Sequence, residues 1–94
     1  MINFNQPILD YSGTPFPGLT LKELALQACS AALPSDNEST ATEKYAIGDL
    51  GMRIFRDETV TTEDILKLKD RMGKLFASPA LVYALFNLLD AANE

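Results

Sequence analysis

A stretch near the end of this chain constrains its fold more than any other. Ser78 and Pro79 open a helix in the way helices favour, with a hydroxyl to accept an orphan N–H and then a proline whose missing donor costs nothing at the first position. The residues that follow, ALVYALFNLLDAA, are apolar almost all the way round. Tyr83, Asn87, Asp90 and Glu94, spaced i, i+4, i+7 and i+11, leave one narrow polar stripe. Such a helix must be covered on most sides. It is therefore expected to be either the central helix of the core or a subunit interface. Because Leu81, Val82, Leu85, Phe86, Leu88 and Leu89 exceed what one face buries in a small monomer, self-association is expected.

The remaining helices announce their starts with capping pairs. Thr20 with Glu23, Thr40 with Glu43 and Thr61 with Asp64 each place a hydroxyl three residues before a carboxylate. The predicted helices are 20–33, 40–55, 61–77 and 79–92, within one domain spanning 1–94. In the first, Leu21, Leu24, Ala25, Ala28 and Ala32 share a face, and Pro34 ends it. In the second, Ile47, Leu50, Gly51 and Ile54 form the inward seam. Gly48 and Gly51 each cost about 1 kcal/mol against alanine in a helix interior, so both are expected to admit a close neighbour. The third buries Ile65, Leu68, Met72, Leu75 and Phe76. Its other face carries Glu63, Lys67, Asp70, Arg71 and Lys74, read as a solvated surface that pairs with itself. The polar run SDNEST, which ends at Thr40, is expected to be a solvated linker; it lacks the pattern of a calcium loop.

Residues 1–19 differ from the rest. Pro7, Pro15 and Pro17 alternate with large apolar side chains, Ile2 and Phe4 alternate with Asn3 and Asn5 as a strand would, and Asp10-Tyr11-Ser12-Gly13 is a turn signal. A β-hairpin and an extended arm fit equally well. Neither is stable alone, so the arm must land on the helices or on another subunit. The fold class is thus mainly α, a bundle of four short helices with an N-terminal hairpin or arm.

Composition narrows the chemistry. With no histidine, Ser-His-Asp and Cys-His catalysis and histidine-ligated metal are all excluded within the chain. The single cysteine, Cys29, sits among Ala28, Ala31 and Ala32 and reads as a buried, inert thiol. No dinucleotide or phosphate-binding glycine motif occurs, and the carboxylates have capping and loop positions. No catalytic residue, cofactor or metal is assigned, and the chain is expected not to be an enzyme. Thirteen acids against eight bases give a net charge of −5, which disfavours nucleic acid and anionic membranes as partners. The start, MINFNQPILDYSG, has neither the basic nor the apolar region of a secretion signal, so the cytoplasm is the expected compartment.

The expected working surface is a protein interface made of Tyr11, Phe16, Tyr83, Phe86 and Leu89. Tyrosine and phenylalanine supply contact area at low entropic cost. Phe4 and Phe16 either join that surface or anchor the arm in the core. Two other readings stay open: an acidic inhibitor that occludes a host nucleic-acid enzyme, and a DNA-binding regulator built on Lys67, Arg71 and Lys74. The acids interleaved with those bases weigh against the second.

The order of features also resembles a group of short, mostly uncharacterised accessory proteins encoded by tailed bacteriophages and prophages. The resemblance lies in Asp10-Tyr11-Ser12-Gly13-Thr14-Pro15, Leu19-Thr20-Leu21, Glu43-Lys44-Tyr45 and Val60-Thr61-Thr62-Glu63-Asp64-Ile65. It implies a small cytoplasmic protein of the bacterial host cell that acts by contact with a host or phage protein, with no catalytic residues to carry over.

Overall fold

Threonine hydroxyls set three of the helix starts. The computed structural model describes residues 4–92. Helix α1 (Leu21–Ser30) begins where the Thr20 hydroxyl accepts from the Glu23 N–H at 3.2 Å. Helices α2 (Ala41–Phe55) and α3 (Thr62–Leu75) carry the full reciprocal box, Thr40 with Glu43 and Thr61 with Asp64. Helix α4 (Pro79–Ala92) starts with the Ser78 hydroxyl 3.3 Å from the Leu81 N–H. A short 3₁₀ turn, Pro34–Glu38, lies between α1 and α2. Ahead of the helices, strands β1 (Pro7–Leu9) and β2 (Pro15–Thr20) pair antiparallel, so the arm is a hairpin. Over the described residues the protein is mainly helical, with four helices and this N-terminal hairpin.

The helix ends have local causes. Helix α1 stops at Ser30, three residues short of the predicted 33, because Ala31 turns extended. The residues ahead of Pro34 then stay out of the helical region, as a following proline favours. Helix α2 ends in a left-handed residue: Asp57 has φ = 58°, the Asp57 N–H donates to the Ile54 carbonyl at 3.1 Å, and the Glu58 N–H to that of Arg53 at 2.8 Å. This is the Schellman arrangement with aspartate where glycine is usual. Helix α3 stops at Leu75, because Phe76 is extended.

Helix α1, not α4, is the hub. It packs against α2, α3 and β2, whereas α4 packs against α3 and β1. The core assembles Leu21, Leu24, Ala25 and Ala28 of α1 with Leu50 and Ile54 of α2, Ile65, Leu68 and Met72 of α3, and Leu85 and Leu89 of α4. Phe4 and Ile8 of the arm join it, and Ile8 is fully buried. Burying one such side chain stabilises by about 1.5–3 kcal/mol. The arm therefore docks on its own helices. Of the strand expected at residues 2–5, residues 2 and 3 lie outside the described residues, and Phe4-Asn5 form a turn ahead of β1.

Candidate protein-interaction surface

The hairpin turn is built by one carboxylate. Asp10 accepts from the Ser12 N–H at 2.9 Å, the Ser12 hydroxyl at 2.6 Å and the Thr14 N–H at 3.0 Å. Gly13, at φ = 84°, supplies the left-handed residue that the turn requires. The hydroxyl of Ser12, first among these donors, lowers the Asp10 pKa. The fixed turn projects Tyr11 into solvent, with 75% of its surface exposed. Its ring lies 5.8 Å from that of Tyr83, tilted by 54°, and Tyr83 on α4 is itself 59% exposed. Strand alternation adds Leu9, which faces outward as Ile8 faces the core. Two residues expected at the surface from separate parts of the sequence thus form one aromatic pair.

The other expected surface residues divide. Phe16 is half-buried and packs against the core from β2. Phe86 is half-buried beneath Lys69, whose ammonium stands 5.1 Å from the ring centre and 2.6 Å from Asp90. Leu89 has no exposed surface, so it is corrected from an interface residue to a core residue. Its position, four residues after Leu85 on the face toward α3 and β1, leaves it nothing to offer a partner.

A second apolar surface was hidden by the inward pattern of α2. Tyr45, Met52 and Phe55 are exposed by 78%, 47% and 62%, on the side opposite Leu50 and Ile54. Their spacing is visible in the sequence, but the buried seam on the same helix accounts for the helix without them. Leu66 on α3 is also exposed.

The basic stripe is not what its sequence suggests. Arg71 is buried, and its guanidinium is committed to the fold. Nε donates to the Ala28 carbonyl at 2.6 Å, one Nη to the Ala31 carbonyl at 2.8 Å, and both Nη atoms to the Asp36 carboxylate at 2.8 and 3.2 Å. The expected solvated surface loses its central cation, and so does any DNA-reading face drawn through Lys67, Arg71 and Lys74. The expected linker is corrected too: part of it is the 3₁₀ turn, held by Arg71 and by the Leu33 N–H, which reaches Asp36 at 2.8 Å. Those hydrogen bonds, the Arg71 fork foremost, bring the Asp36 pKa down to about 2. A parallel lock joins α2 to α3. The Arg53 fork donates to the buried Asp64 at 2.8 and 3.2 Å and holds its pKa at about 2.

An open cleft of about 680 Å³ lies between the end of α1, the 3₁₀ turn, α2 and α3, with Leu33, Ala46, Ile47 and Arg71 along it. Cys29 borders it. Burial pushes this thiol up to about 11, the protonated and unreactive form at neutral pH. Among the described residues, no group of three or more cysteine, aspartate or glutamate side chains is placed to hold a metal ion. No helix among them is long and apolar enough to cross a membrane.

No protein family, curated protein or solved structure matches this chain. The functional reading therefore rests on the residues themselves. What they bring together is contact area: Tyr11 on the turn with Tyr83 of α4 and Leu9 of β1, and Tyr45, Met52 and Phe55 on a helix face.

Proposed function

We propose that this protein is a non-enzymatic, protein-binding accessory factor that is phage-encoded, acts in the cytoplasm of the bacterial host, and self-associates. The observation that carries the reading is the Tyr11–Tyr83 pair. Two aromatic side chains more than half exposed face solvent together, one on a turn locked by Asp10 and the other on a packed helix. A rigid pair loses little conformational entropy on binding, and aromatic anchors of this kind dominate interface energies. The net charge of −5 favours a partner with a basic or neutral contact surface. The resemblance to phage accessory proteins supports the setting.

The test is a photo-crosslinking amino acid placed at position 11 and, as a control, at exposed Glu63. In bacterial host cells one protein should become linked from position 11 and not from position 63, and the purified pair should then bind in vitro. Equal labelling from both positions, or a linked protein that shows no binding when purified, would remove the arm from the working surface.

A further inference from the structure

We propose that the self-association in this reading is a two-fold dimer, made by the outer face of α2 packing antiparallel against the same face of a second copy. The proposal rests on that reading and assigns its interface.

Helix α2 has two apolar sides. Leu50, Gly51 and Ile54 turn inward, and Gly51 meets α1 so closely that a Cβ there would stand 3.0 Å from the Cys29 Cβ. The opposite side carries Ala41, Tyr45, Gly48, Met52 and Phe55, all exposed. These five recur at steps of four, three, four and three, the spacing of a seam between two helices. A helix that packs only one face onto its own core shows polar residues on the other. This one sets two aromatic rings and a methionine among the exposed Lys44, Asp49 and Arg56.

The seam fits itself. In an antiparallel pair with Tyr45 level with Phe55 of the second copy, Gly48 falls level with Met52 of the second copy. A Cβ placed at Gly48 would meet nothing within 4 Å among the described residues, so the position is an open notch on the helix surface. Methionine, unbranched and flexible, is suited to fill it. Two-fold symmetry makes each notch and knob occur twice. In the same register, Lys44 at the start of α2 approaches the end of the second α2, where Asp57 and Glu58 lie. Asp49 comes near its own copy at the centre, with Arg53 already 3.1 Å from it to offset that charge. Lys22 stands 5.7 Å from the Phe55 ring centre and holds Asp57 at 3.1 Å, bordering the seam.

The area suits helix pairing. At their exposures, Tyr45 and Phe55 leave roughly 300 Å² of surface in water, over a third of the roughly 800 Å² that each partner contributes to a standard interface. Ala41, Met52 and the stems of Lys44 and Arg56 extend that strip along a helix about 22 Å long. The arm surface, Tyr11 with Tyr83, belongs to the hairpin and α4 and is not used.

The experiment is sedimentation equilibrium of the full chain over a concentration series, with the variants Met52→Glu, Gly48→Glu and, separately, Tyr83→Glu. All three positions are exposed, and circular dichroism and melting report whether each variant stays folded. The expected result is a dimer for the parent chain and for Tyr83→Glu, with the dissociation constant raised at least a hundredfold in Met52→Glu and Gly48→Glu. A parent chain that stays monomeric throughout would overturn both this proposal and the self-association beneath it. A dimer that survives both α2 variants would overturn the α2 interface and leave self-association standing, as would one broken by Tyr83→Glu alone. Species larger than a dimer would contradict a closed two-fold pairing.

Discussion

Arg71 on α3 and Asp36 in the 3₁₀ turn close a clamp across residues 28–36, with the guanidinium gripping the carboxylate at 2.8 Å and the carbonyls of Ala28 and Ala31 beside it. The clamp ties the end of α1 to α3. Arg71→Ala would leave the buried Ala28 carbonyl without its donor and remove a packed stem, lowering stability by about 2–3 kcal/mol. Arg71→Lys should not restore it, since an ammonium cannot supply a planar fork. Exposed Lys67→Ala is the control and should change stability by less than about 0.5 kcal/mol. Denaturant melts of the three variants check this.

Asp36 and Asp64 give the protein a definite acid response. Both titrate at about 2 in the folded state, against an ordinary aspartate value of 3.8. A carboxylate whose pKa falls on folding contributes stability that is fully present above its unfolded value and is lost as pH falls toward the folded one. These two groups should therefore leave melting temperature flat above about pH 5 and lower it between about pH 4 and pH 2. Asp64→Asn should lower stability at neutral pH and flatten the fall. A variant that melts with the parent's full acid slope would show that Asp64 does not drive it.

The hairpin splits into an inward and an outward half, and the two should respond differently. Ile8→Ala empties a fully buried site and should cost about 2–5 kcal/mol. Tyr11→Ala removes an exposed ring and should cost less than about 1 kcal/mol, mostly its contact with Tyr83. Thermal melts of both variants check the division. Equal losses would mean that Tyr11 is a structural residue.

The two interior glycines of α2 face opposite environments. Gly51→Leu should destabilise by about 1–3 kcal/mol through overpacking against Cys29. Gly48→Ala, in solution dilute enough to be monomeric, should stabilise by about 1 kcal/mol through helix propensity alone. Melts that rank the two the other way would reverse the assignment of the faces.

How far the sequence could be read follows from the range of each interaction. The helix starts were legible because Thr40 and Thr61 act on N–H groups three residues away. The turn at Asp10 to Gly13 was legible for the same reason. Arg71 was not, since its partners lie 35 to 43 residues earlier and its neighbours Asp70 and Lys74 do form the local surface pair expected of them, at 3.0 Å. Leu89 and Tyr83 looked alike as interface candidates on an apolar helix; only the packing of β1 and α3 on α4 separates a core residue from a surface one. Tyr45, Met52 and Phe55 escaped because a single helix carried two apolar patterns, and the inward one alone explained its presence.

The most direct measurement is a titration of the purified partner, identified by crosslinking from position 11, against the parent chain, Tyr11→Ala and Tyr83→Ala. Each substitution should weaken binding by about 2 kcal/mol, roughly thirtyfold in Kd, while the melting temperature stays nearly unchanged. Unchanged Kd in both variants would contradict the claim that the paired tyrosines are the working surface of this protein.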